Sequence, residues 1–168
     1  MFLNAEQAEI PMKLVFQLST ELSGDPERVA RIQALTKDCS RPSMGHKGTY
    51  GLYNSEEWWD NIKKGSMPSQ YVSGVIQVLG HAGQESRDTN SFVLLLDDGS
   101  TRFDSIYCNN RRDIEFFRVG CRVDVFSVFD PPKITRPVVP GLERSKILIE
   151  MAVSTMPVAS IIDGSNDS

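Results

Sequence analysis

Apolar and polar residues alternate clearly over residues 12–18, MKLVFQL. Met12, Leu14, Phe16 and Leu18 fall on one side, and Lys13, Val15 and Gln17 on the other. A period of two predicts a strand with one buried face. Leu14, Leu18 and Leu22 also recur at i, i+4, so the same stretch keeps a helical alternative. Asp25 and Pro26 then give a clearer start: a side chain that caps free N–H groups, followed by a residue whose missing N–H is harmless in a first turn. Val29, Ile32 and Leu35 share a face, which predicts a short surface-packed helix ending near Asp38. Residues 39–51, with Pro42, Gly45, Gly48 and Gly51, read as irregular.

Residues 54–64 carry the strongest helical pattern. Asn54 is a cap, and Glu57 stands three residues later, as a capping box requires. Tyr53 is placed to staple onto Trp58. Glu56 and Glu57 suit the positive end of the helix, Lys63 and Lys64 the negative end, and Gly65 is a left-handed stop. Trp58 and Ile62 recur at i, i+4, so the Trp58 side is expected to anchor the helix to something larger. Trp59 points about 100° away and is expected to be partly exposed.

From Tyr71 onward the pattern is that of strands. In residues 71–79, YVSGVIQVL, Val72, Gly74, Ile76 and Val78 are expected on one face, with Gly74 allowing a bend or a close approach. Residues 92–96, FVLLL, are apolar on both faces and predict a central or covered strand. Asp98-Gly99 predicts a hairpin with a two-residue loop into TRFDSIYC. In that register Asp97 faces Ser100, Leu94 faces Phe103 and Phe92 faces Ser105. Asn109 or Asn110 is placed to cap a turn through RRDIEFF. A further strand, VGCRVDVFSVF, is stopped by Asp130-Pro131-Pro132, and SKILIEMAV is the last.

These elements predict a mainly β or α+β protein: a small curled barrel, OB-like or SH3-like, with two short accessory helices. The rival is a two-layer α+β sandwich. One domain is expected over residues 1–162, with an N-terminal accessory segment 1–51, a β-rich core 52–153 and a mobile tail 163–168.

Composition narrows the function classes without choosing one. The chain has 168 residues and a formal net charge of −4, which argues mildly against bulk attraction to nucleic acid or anionic lipid. Cys39, Cys108 and Cys121 are an odd set with no short spacing, so no disulfide framework is expected. The N-terminal residues lack the pattern of a signal peptide, and no apolar run approaches a membrane span, which sets a cytoplasmic expectation.

Candidate chemistry is sparse. His46 and His81 are the two histidines. A zinc site would need them to converge with the cysteines, and a Cys–His nucleophile would need Cys39 beside His46 or Cys108 beside His81. Asp97, Asp98 and Asp104 gather near one hairpin, where turn-making is the simpler role. No phosphate-cradling glycine motif is present. No cofactor, metal or catalytic residue is therefore assigned.

A binding role is the leading expectation, with another protein or a second copy of the chain as the partner. Trp59, Tyr53 and Tyr50 are the interface candidates, because exposed aromatic rings anchor protein interfaces. A small acidic protein can cap a basic target, so an inhibitor- or immunity-type partner is a narrower form of this expectation, by analogy of class. Single-stranded nucleic-acid binding is the alternative. It would use Arg102, Arg111, Arg112, Arg118 and Arg122 among Phe103, Tyr107, Phe116 and Phe117, although four nearby acids leave that interval almost neutral. A small hydrolase or lyase with a non-local active site is the third.

Overall fold

The computed structural model of the chain describes residues 2–3, 9–80, 89–134 and 146–158. His81, much of the polar stretch before Ser91, the proline-rich segment after Ile134 and the expected mobile tail lie outside the described residues.

In chain order the elements are β1 (Met12–Gln17), α1 (Leu18–Ser23), α2 (Pro26–Lys37), α3 (Glu56–Lys63), β2 (Ser69–Gly80), β3 (Ser91–Leu96), β4 (Thr101–Ser105), a 3-10 turn (Arg111–Phe116), β5 (Arg122–Phe129) and β6 (Lys146–Ser154). The chain divides into two compact units. Unit 1 comprises residues 1–17, 71–126 and 150–168, and unit 2 comprises residues 18–70 and 127–149.

Unit 1 contains most of a six-stranded sheet, ordered β1-β6-β5-β2-β3-β4. The β1–β6, β2–β3 and β3–β4 pairings are antiparallel. A mainly β protein with a few short helices is therefore what the sequence forms, but the sheet does not close. β1 and β4 are its edges, and no ladder joins them into the expected barrel. Its core is built from Val15, Phe16, Ile76, Phe92, Leu94, Phe117, Val123, Val125, Met151 and Val153, with the Phe92 and Phe117 rings stacked at 5.9 Å.

The residues 12–22 satisfy both periodicities in turn. β1 ends at Gln17, and Leu18 and Leu22 become the buried side of α1. A register shift between Leu14 and Phe16 lets the adjacent Val15 and Phe16 both be buried.

Gly74 is a close-approach glycine. A Cβ there would stand 2.8 Å from the Leu95 carbonyl oxygen and 3.0 Å from the Leu94 Cβ. Any side chain at this position would push β2 off β3.

The hairpin forms one residue out of the expected register. Leu94 faces Arg102, Val93 faces Phe103 and Phe92 faces Asp104. The loop has three residues, Asp97, Asp98 and Gly99, closed by Leu96 N–H to Ser100 O at 2.9 Å and Gly99 N–H to Leu96 O at 3.0 Å. Gly99 has φ +85°, while Asp98 is not left-handed. A two-residue type I′ loop needs both residues left-handed, whereas a three-residue loop needs only the last. Asp98 instead accepts from the Ser100 N–H at 2.8 Å, and the Ser100 bonds hold its carboxyl below the usual range.

Unit 2 carries the three helices. Asp25 caps α2 as expected, accepting from Arg28 N–H at 3.2 Å. The carbonyl end of α2 is held by Lys133, whose Nζ donates to Leu35 O at 2.6 Å, Asp38 O at 3.0 Å and Arg41 O at 3.1 Å. A cation on free C-terminal carbonyls is favoured by both hydrogen bonding and the helix dipole. Residues 45–47 lie along 131–133: Lys47 N–H donates to Pro131 O at 2.9 Å, and Lys133 N–H to Gly45 O at 3.0 Å. The segment read as irregular is thus fixed by its backbone.

Candidate protein-binding face

The N-cap of α3 is Ser55, one residue later than expected. Its side chain accepts from Trp58 N–H at 3.2 Å. Asn54 takes a left-handed conformation, φ +62°, and its Oδ1 accepts from the Trp59 indole N–H at 2.7 Å. Asn tolerates that backbone better than most residues. Trp58 is the anchor the periodicity predicts: it is 0% exposed and donates its indole N–H to Asp130 at 3.0 Å.

The interface candidates divide. Trp59 is half-buried, edge-on to Trp58 at 4.9 Å. Tyr50 is half-buried, and its carbonyl accepts from Asn61. Tyr53 is buried and meets Trp58 edge-on at 5.1 Å, so it supports α3 from within and presents no ring to a partner. With the cap at Ser55, Tyr53 lies one residue before the staple position, yet its ring still packs on Trp58.

Asp130 is the charged centre of this aromatic cluster. Beyond the Trp58 bond, its Oδ2 lies 3.8 Å from His46 Nδ1, and the His46 ring is nearly parallel to that of Tyr53. Asp130 Oδ1 and His46 Nδ1 have no hydrogen-bond partner among the described residues. Burial raises the Asp130 carboxyl above its ordinary 3.8, against the opposing pull of the Trp58 N–H and His46. Between 3.8 and that raised value the folded state keeps a proton that the unfolded state has lost. Stability therefore falls as pH rises through this window. Asp130→Asn keeps an oxygen for Trp58 and removes the charge. Its melting temperature is expected to lose this decline as pH rises above 3.8.

In unit 1, the sequence reading missed a surface that the structure brings together. A register shift falls between Ile76 and Val78: Ile76 faces Leu94, but Val78 faces Val93. The extra residue, Gln77, turns Val78 to the side opposite Ile76. Val78 is 55% exposed instead of sharing the buried face. Tyr71, Val75, Val93, Leu95 and Phe103 lie on the same side of the sheet. Tyr71 is 55% and Phe103 63% exposed, and Leu95 is also open. β3 is central in the sheet as expected, yet its second apolar face is uncovered. Beside the patch, Ser73 donates to Asp124 at 2.6 Å and Arg122 pairs with Asp124 at 3.1 Å. An exposed apolar patch bordered by polar groups is the usual form of a protein-interaction surface.

The arginines of the nucleic-acid alternative are spread around unit 1. Arg111 and Arg112 are exposed on the 3-10 turn, and Arg102 is on β4. Arg118 donates to Thr155 O, and Arg122 is engaged with Asp124. Among the aromatic candidates, Phe117 is buried, while Phe116 lies under Lys13 at 4.8 Å. Asn110 caps the turn through Arg112 N–H.

The cysteines are all free thiols. Cys121 is buried, and burial, with Asp113 nearby, pushes the Cys108 thiol up to about 11, far from an activated thiolate. Cys39 is exposed and its Sγ bonds to Lys37 O, while His46 is occupied with Asp130 and Tyr53. Among the described residues no cluster of three potential ligands is placed to hold a metal, and no helix is long and apolar enough to cross a membrane.

An open, mainly β fold that exposes an apolar sheet face has the features of a protein that acts through its surface. The chain belongs to the RhsI2 immunity protein family. The family model, described as immunity protein RhsI2, matches residues 12–154, from the first residue of β1 to the last of β6. Comparison with curated proteins finds no match.

Proposed function

We propose that this protein neutralises a toxin by binding it, as a stoichiometric protein inhibitor that protects the producing cell. The observation that carries this reading is the family match across all six strands. The exposed face formed by Tyr71, Val78, Leu95 and Phe103 supports it and is the proposed docking surface. Apolar side chains at the centre supply affinity by leaving water, while the chain's net charge of −4 favours encounter with a basic partner. Trp59 and Tyr50 of unit 2 are the second place to look for contacts.

Protection is the direct test. Cells that produce the cognate toxin should grow when this chain is co-expressed and stop growing when it is omitted. A chain that accumulates as folded protein and gives no protection against any toxin of its own cell would remove the proposal.

A further inference from the structure

The two edges of the sheet are finished differently. At β1 the chain closes the edge with its own loop. Asn109 N–H donates to Val15 O at 2.9 Å, and the Asn109 side chain accepts from Gln17 N–H at 2.7 Å and donates to Gln17 O at 3.2 Å. At β4 no strand of the described residues lies on the outer side. The bonds Leu96 N–H to Ser100 O and Ile106 N–H to Asn90 O fix the parity of the β3–β4 ladder. Even-numbered residues of β4 therefore bond to β3, and the N–H and C=O groups of Thr101, Phe103 and Ser105 point outward. β4 is five residues long and carries the charged Arg102 and Asp104, but it has no proline and no bulge to block a pairing strand.

The sequence of this edge is its own complement. Thr101-Arg102-Phe103-Asp104-Ser105, laid antiparallel on itself about Phe103, sets Phe103 against Phe103, Arg102 against Asp104 and Thr101 against Ser105. The parity agrees. The outward residues Thr101, Phe103 and Ser105 become the hydrogen-bonded pairs, and Arg102 and Asp104 become the intervening pairs, whose side chains approach most closely. We propose that β4 pairs with β4 of a second copy of this chain, forming a two-fold dimer whose sheet continues from one subunit into the other. Such an isologous contact repeats each favourable pair twice. It covers the Phe103 ring, 63% exposed in the single chain, with the partner's ring. The Ser105 N–H, turned onto the Asp104 carboxylate at 2.8 Å, would exchange that bond for the outer ladder. Edge pairing covers Phe103 and leaves Tyr71, Val78 and Leu95 of the sheet face open, and the proposal does not depend on the toxin-binding reading.

Sedimentation equilibrium of the full chain tests it. The wild type should show a reversible dimer of the 18.8 kDa chain. Phe103→Pro removes an N–H that the β3 ladder does not use, and should weaken the dimer by about tenfold or more. Arg102→Asp and Asp104→Arg should each do the same, because each sets like charges opposite one another. Mixing those two variants should restore a dimer, since each then supplies the charges the other needs. A wild type that remains monomeric at all attainable concentrations overturns the proposal. So does a dimer that survives all three substitutions.

Discussion

Trp58→Ala is expected to destabilise the protein by about 3–5 kcal/mol, enough to remove much of the stability of an ordinary domain. The indole is fully buried, with Tyr53 and Trp59 both edge-on to it. Truncation would lose that packing and leave a cavity, and it would take the N–H donor from Asp130. Asp130 would then be a buried carboxylate with His46, 3.8 Å away, as its remaining polar neighbour among the described residues. Trp58→Phe separates the two effects. It preserves most of the ring volume but removes the donor, and should cost about 1–3 kcal/mol from the unmet carboxylate. Denaturant unfolding of the three proteins measures both. If Trp58→Phe unfolds with the wild-type midpoint, Asp130 does not depend on the indole.

The second large effect concerns binding. The double substitution Val78→Lys and Leu95→Lys puts two charges in the centre of the exposed sheet face. Toxin affinity should fall by about 100-fold or more, because charged groups buried in an interface core without partners are strongly unfavourable. Stability should change by about 1 kcal/mol or less for the two substitutions together, since both side chains already meet solvent. Calorimetric titration and thermal melting of the same samples read the two quantities. Wild-type affinity in the folded double variant would remove this face as the docking surface.

Much of the fold was legible because local chemistry and tertiary packing agree. Asp25 caps α2, Trp58 anchors α3, Gly74 permits close approach, and Asp98-Gly99 marks a hairpin. The expected closed barrel is an open sheet, which was not legible because strand order is set by tertiary packing; two local failures are one residue wide. Asn54 and Ser55 are both good caps, and the choice between them depends on whether Asn54 enters the left-handed region to reach Trp59. The hairpin loop takes three residues because Asp98 does not adopt the left-handed conformation that the shorter loop requires.

The exposed sheet face was hidden by the same kind of detail. An alternating pattern cannot reveal the extra residue at Gln77, yet that residue sends Val78 outward. FVLLL reads as a covered strand because apolar side chains on both sides normally mean burial on both sides. On the proposed function, the toxin would supply that cover. The aromatic cue in the helix was real but structural at Trp58 and Tyr53. The acidic balance and the scarcity of organised catalytic groups pointed to the binding class, and the relationship to a family of immunity proteins emerged from residues 12–154 as a whole.

The most direct measurement is a titration of active toxin with purified protein, following toxin activity and complex formation together. A binding inhibitor predicts that activity disappears linearly and is abolished when the two are equimolar, with a stable complex recovered. Loss of all toxin activity at a small fraction of that amount, with no complex, would show turnover and contradict neutralisation by binding.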